Sequence, residues 1–197
     1  MIQDIKTRQR ALNLAGYNAG TVDGIAGPKT RAAQDKWNID AEKIAADVGT
    51  FDPRTEKNLR TLLPAFQRAT RQWLQQAIPT AAKWGYSLKI ICGTRDFAEQ
   101  TALYAKGRTT TGPRVTNARA GSSFHNYGCA FDIGLFATDD GTYITSGVPY
   151  KKLLETVPFD HPSAVWGGSF KSFKDYPHIE WHGAGSTTQQ LRTASEK

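Results

Sequence analysis

The chain is 197 residues long, with 39% hydrophobic residues, a net charge of +7 and a mean hydropathy of −0.50. That length holds one mid-sized domain, or a small module beside a domain of about 140 residues. No apolar run approaches the ~20 residues of a membrane span, and two cysteines are too few for a disulfide framework. The charge is uneven: residues 54–119 hold 12 basic and 3 acidic side chains, a field suited to an anionic polymer. With no helix-turn-helix cue, finger spacing or stacking motif, nucleic acid is not the expected partner.

Ile2, Ile5, Leu12 and Ala15 fall near helical spacing, so a helix is expected over residues 2–15, stopped by Gly16. The N-terminus opens directly into this amphipathic pattern, without the apolar centre of a signal peptide. Gly16 to Gly27 turns twice, and Gly27-Pro28 hands the chain to a second helix through Ala32, Ala33 and Trp37. The loop Val22-Asp23-Gly24-Ile25-x-Gly27-Pro28-x-Thr30 resembles that of the small three-helix peptidoglycan-binding module of wall hydrolases. The resemblance implies a module over residues 1–48 with a third helix at Ala41–Asp47. Asp23 and Thr30 are expected to hold the loop by capping bonds to helix N-termini.

Val48 to Pro53 reads as a linker, with Asp52 as N-cap and Pro53 as the first residue of the next helix. The helical pattern runs through Leu59, Leu62 and Leu63, bends at Pro64, and resumes with Phe66, Trp73, Leu74 and Ile78 before a further break or bend at Pro79. Tyr86–Cys92 is a strand ending in Gly93-Thr94-Arg95, and Asp96 caps the helix that follows. Gly107–Ser122 is a long loop expected to wall a cleft. Cys129–Gly134 is a short buried strand carrying Asp132, Asp139–Thr142 a hairpin turn, and Tyr150–Val157 a short helix. His161 lacks ligand spacing and reads as a surface histidine. Cys92 and Cys129 read as small buried thiols, with a bridge open if their strands are neighbours.

His125, Asp132 seven residues on, and His178 preceded at three residues by Asp175 can together hold one zinc ion and one general base. A straight strand from 125 to 132 would span roughly 23 Å at about 3.3 Å per residue, so the chain must turn between them. Asn126-Tyr127-Gly128 is the place, because Gly128 can take dihedrals that other residues avoid. An aspartate between Phe131 and Ile133 is costly to bury, and a metal would explain it. Pro177 argues against a helix through residues 175–182. On an extended strand His178, Glu180 and His182 share one face, so the residues alone leave open a rival set with His182 as ligand and Glu180 as base.

Ser123-x-His125-x-x-Gly128-x-Ala130-x-Asp132, followed by Asp175-x-x-His178-Ile179-Glu180, resembles the zinc peptidases of the D-Ala-D-Ala carboxypeptidase, VanX and L-alanyl-D-glutamate endopeptidase group. Gly93-Thr94-Arg95, Glu99-Gln100, Gly107-Arg108-Thr109 and Trp166-Gly167-Gly168 look most like the endopeptidase branch found among bacterial and phage lysins. The resemblance covers residues 52–190. It implies His125, Asp132 and His178 as ligands to one Zn2+ with a fourth position for water, and Asp175 as general base. It further implies that Arg95 stabilises the oxyanion, Ser123 lies near the substrate, and Glu180 orients a ligand histidine through its free ring N–H. The implied fold is α+β, a small antiparallel sheet with flanking helices holding the zinc site in a domain over residues 52–197. The implied activity is zinc-dependent cleavage of the peptidoglycan stem peptide between L-Ala and D-Glu. Its expected setting is a monomer made in the cytoplasm that reaches the wall through a phage holin. The alternatives are a D-Ala-D-Ala carboxypeptidase or dipeptidase with the same metal set, and a wall-binding protein with an inactive peptidase fold.

Overall fold

Helix starts are where the local chemistry is most explicit in the computed structural model, which describes residues 2–196. Asp4 caps α1 (Ile5–Leu14) by accepting from the Thr7 N–H at 2.7 Å, and Gly16, at φ 81°, follows its end. Pro28 opens α2 (Pro28–Val48), one helix of 21 residues. The third helix expected at Ala41–Asp47 is therefore the last two turns of α2. No glycine or proline interrupts residues 29–48, so nothing stops the helix there.

Asp52 caps α3 (Pro53–Leu59), and α4 (Pro64–Ala82) follows a short turn. Pro79 lies inside α4, not at a break: it is exposed and one turn from the helix end, where the single lost hydrogen bond falls to solvent. Strand β1 (Tyr86–Cys92) leads to α5 (Phe97–Ala105), which starts with a full capping box between Asp96 and Glu99. After the long loop come β2 (Ala130–Ala137), longer than expected, then α6 (Gly147–Thr156), β3 (Ala164–Trp166), β4 (His178–Trp181) and α7 (Thr188–Ser195). The strands form one antiparallel sheet in the order β1-β2-β4-β3, giving the α+β architecture anticipated.

Alternation along the strands divides the sheet into two faces. Phe131, Ile133, Ile179 and Trp181 are buried in the core, where Phe66 of α4 stacks on Trp181 at 5.2 Å and lies 5.3 Å from Phe131. Each such side chain contributes about 1.5–3 kcal/mol by leaving water. Asp132, His178 and Glu180 take the opposite face. Register then aligns them: Cys92 pairs with Asp132, and Asp132 pairs with His178, so three chemically active residues form one row across β1, β2 and β4. Cys92 joins that row only because β1 carries an irregularity between Ile90 and Cys92 that re-aims its end.

The core continues without interruption from Ala11, Leu12 and Trp37 into Leu59, Leu74 and Phe131. Residues 2–48 thus pack on the body, α1 against α7 and α2 against α4. A buried ion pair fixes the connection between them: Arg71, 0% exposed, donates to both Glu56 oxygens at 2.7 Å and to the Gly49 carbonyl at 2.7 Å. The glycine-rich loop is held differently from expectation. Asp23 and Thr30 do not cap helices; the buried Gln9 amide donates to Asp23 at 2.8 Å and to Thr30 at 3.2 Å, while its oxygen accepts from the Gly24 N–H at 2.9 Å. Both cysteines are free thiols. No helix among the described residues is long and apolar enough to cross a membrane.

Candidate metal centre

His125 lies on a 3-10 turn, Phe124–Tyr127, which ends at Gly128 with φ 71°. That left-handed conformation returns the chain into β2 within two residues. The Arg95 N–H donates to the His125 carbonyl at 3.0 Å and the Asn126 amide donates to the Arg95 carbonyl at 2.9 Å, so the turn is tied to the end of β1. His125 is 3% exposed, and its ring Nδ1–H donates to the Gly93 carbonyl at 2.7 Å. Gly93 has no space for a side chain: a Cβ would fall 2.5 Å from Thr61 Oγ1 and 2.7 Å from the Asn58 carbonyl.

Tautomers follow from the outer partners. A carbonyl only accepts, so His125 carries its hydrogen on Nδ1 and turns the Nε2 lone pair inward. Glu180 Oε1 accepts from His178 Nε2 at 3.2 Å, which leaves the His178 Nδ1 lone pair facing inward as well. His125 Nε2, His178 Nδ1 and Asp132 Oδ1 then lie 3.2, 2.8 and 3.3 Å from one another. Three electron-rich atoms converging without a cation would repel. Tetrahedral donors at ~2.0–2.1 Å from a zinc ion are about 3.3 Å apart, so the spacing fits that ion.

Without an ion, protons take its place. Burial works against the imidazolium of His125, yet the Asp132 charge, with the Cys92 sulfur, carries its pKa up to about 10. Burial likewise opposes a charged His178, but bonds to Asp132 and Glu180 bring it to about 9. Burial alone would raise the Asp132 pKa; the two imidazoles hold it well below the ordinary carboxylate value.

Cys92, His125 and Asp132 also lie within 4.8 Å of one another through one donor atom each. Cys92 Sγ, however, is 3.8 Å from His125 Nδ1, the nitrogen committed to Gly93, whereas His178 faces Nε2. The geometry favours His178 as the third donor.

Asp175 precedes β4 in a turn held by two backbone bonds, its N–H to Gly167 and its carbonyl from the His178 N–H. Gly167 is required there, since a Cβ would sit 2.3 Å from the Asp175 carbonyl. The Asp175 carboxylate makes no hydrogen bond among the described residues, and burial raises its pKa against the pull of His178. It lines the same cleft of about 680 Å3 as His125, Asp132, His178, Arg95 and Ser123. The Arg95 guanidinium donates to Gln100 Oε1 at 2.9 Å and Cys92 Sγ at 3.2 Å, and lies 3.6 Å from Asp132 Oδ2. Ser123 sits at the start of the 3-10 turn, its hydroxyl free of capping bonds.

His182 stays outside the donor cluster: it donates from Nε2 to Glu180 Oε2 at 3.1 Å and stacks on Phe124 at 4.7 Å. His161 packs on Trp181 at 4.5 Å. Gly93, Asn126 and Gln100 support the site, and sequence pattern does not single them out for that role. Their bonds join positions about 30 residues apart or reach into an irregular loop, so no periodicity announces them.

Residues 116–181 match a family model described as D-alanyl-D-alanine carboxypeptidase. The peptidoglycan L-alanyl-D-glutamate endopeptidase CwlK of Bacillus subtilis (strain 168) is 39% identical over 112 residues, which is 51% of this chain; the chain spans 64% of that relative's length. The crystal structure of the L-Ala D-Glu endopeptidase ChiX of Serratia marcescens aligns at 23% identity with a TM-score of 0.45, covering 66% of this chain and 88% of that one. The matched segment holds all three inward donors with Ser123, Asp175 and Glu180, so the likeness to this peptidase family falls on the stretch that carries the site.

Proposed function

We propose that the chain is a zinc-dependent peptidoglycan endopeptidase that cuts the stem peptide between L-Ala and D-Glu. The observation that carries this reading is the convergence of three lone-pair donors, both imidazoles fixed on their outer sides, beside a carboxylate that makes no hydrogen bond among the described residues, in an open cleft. His125 Nε2, Asp132 Oδ1 and His178 Nδ1 would hold the ion. When bound, zinc polarises the scissile carbonyl and makes water acidic enough to lose a proton near neutrality.

Asp175 is the general base, and its raised pKa suits a group that must both take a proton from water and return it to the leaving amine. Arg95 supplies N–H donors to the carbonyl oxygen as charge develops, an interaction often worth ~3 kcal/mol. Ser123 contacts substrate on the cleft wall, and Glu180 holds His178 in its ligating tautomer. The bond assigned follows the activity carried in the name of CwlK. The net charge of +7 supports an anionic wall polymer as substrate, and residues 1–48 are the segment we assign to wall binding. We further infer a lysin-type role, acting as a monomer released to the wall through a phage holin.

The test is digestion of purified peptidoglycan with and without a chelator, with fragments identified by mass spectrometry. New D-Glu amino termini that vanish on chelation and return with zinc are expected. Release of D-Ala would instead assign the carboxypeptidase activity that the family description carries. Wall binding without new amino groups would identify an inactive peptidase fold.

A further inference from the structure

We propose that Gln100 is a positioning residue that sets the Arg95 guanidinium and couples it to the loop forming the cleft wall; the proposal rests on the endopeptidase reading. Gln100 is the buried residue of α5, 0% exposed, and its two amide atoms face different partners. Its Oε1 accepts from Arg95 Nη1 at 2.9 Å, and its Nε2 donates to the Ala118 carbonyl at 2.8 Å, with Thr116 Oγ1 at 3.5 Å. A guanidinium can only donate and a carbonyl can only accept, so the amide has one permitted orientation. A carboxylate could serve Arg95 but not Ala118, and a lysine the reverse; an amide of this length serves both.

Thr116 and Ala118 are themselves cleft-lining residues. Arg108 holds the same stretch from its outer side, donating to the Thr116 carbonyl at 2.9 Å and to the Asn117 side chain at 3.0 Å. Within this frame the Gln100 bond does a second task. Arg95 Nη2 already lies 3.6 Å from Asp132 Oδ2, and guanidinium and carboxylate readily close into a two-bond pair. By engaging Nη1, Gln100 keeps the second arm of Arg95 from collapsing onto Asp132, so donors remain for substrate and Asp132 remains a metal donor.

The experiment measures kcat and KM on a defined stem peptide for the zinc-loaded full chain, using Gln100→Leu, Gln100→Glu, Arg95→Ala and the Arg95→Ala/Gln100→Leu double variant. Zinc content and thermal melting serve as folding controls. Gln100→Leu removes both bonds and is expected to lower kcat about 10- to 100-fold, the scale of a misplaced transition-state contact. Gln100→Glu keeps the Arg95 bond and loses the Ala118 bond; it should raise KM about tenfold while costing kcat at least tenfold less than Gln100→Leu does. In the Arg95→Ala background, Gln100→Leu should lower kcat little further, because its effect passes through the missing guanidinium. If Arg95→Ala loses activity while Gln100→Leu keeps wild-type kcat, or if the two losses multiply independently, the coupling is wrong and the endopeptidase reading stands. If Arg95→Ala keeps wild-type kcat, the role of Arg95 fails and this inference falls with it.

Discussion

In the proposed site Glu180 backs His178, and through that contact it would govern how tightly an ion is held. One of its oxygens accepts from His178 Nε2 at 3.2 Å and the other from His182 Nε2 at 3.1 Å, with the side chain only 17% exposed. Glu180→Gln preserves the shape and can keep its carbonyl oxygen toward His178, but it exchanges a charged acceptor for a neutral one. Charged hydrogen bonds contribute ~1.5–3 kcal/mol and neutral ones ~0.5–1.5, so the loss is about 1–1.5 kcal/mol, or roughly five- to tenfold in zinc affinity. Glu180→Ala leaves the His178 N–H without its partner and frees the ring to rotate, which should weaken zinc about 10- to 100-fold. His182→Ala removes only the far contact and should alter affinity by less than about threefold. Competition against a chromophoric chelator at fixed pH reads all three. A Glu180→Ala protein that holds zinc as tightly as the parent would refute the assignment of His178 as a ligand through Nδ1.

The same site predicts a pH dependence. His125 and His178 have pKa values raised to about 10 and about 9 in the empty protein, so at neutral pH binding must expel protons. Zinc affinity should therefore tighten roughly tenfold or more per unit as pH rises from 6 to 8, and a flat profile would contradict the donor set. Gly93→Ala forces a methyl group within 2.7 Å of both the Asn58 carbonyl and Thr61 Oγ1; a loss of about 1–3 kcal/mol, seen as a lower melting temperature, is expected with weaker zinc binding. Glu56→Ala strands the fully buried Arg71 and should cost about 3 kcal/mol in urea unfolding, and an unchanged midpoint would mean that water or the Gly49 carbonyl satisfies the charge.

Features that carry their own local chemistry are legible in the sequence. Asp52-Pro53 and Asp96 with Glu99 each write a helix start within a few residues, and Gly128 marks the turn that brings His125 back toward Asp132. Strand β1 matches its apolar run residue for residue. Anything set by register or by single side-chain bonds across the fold is less legible. The irregularity that aims Cys92 at the site, the Gln9 amide beneath the glycine-rich loop and the Gln100 bridge leave no periodic trace. The resemblance to a three-helix module overrides a plainer local signal, since an unbroken run lacking glycine and proline favours one long helix. Pro79 misleads in the opposite direction, because a proline near an exposed helix end removes a single bond that solvent can replace.

The packing of α1 on α7 reaches into biosynthesis. Asn13 donates to the Ser195 carbonyl at 2.9 Å across 182 residues, and Arg10 pairs with Glu196 at 3.4 Å. At ~5–20 residues per second a ribosome needs roughly 10–40 s to make the intervening chain. During that interval the nascent α1 has no α7 to cover it, and the three candidate metal donors are polymerised before the clasp can shut.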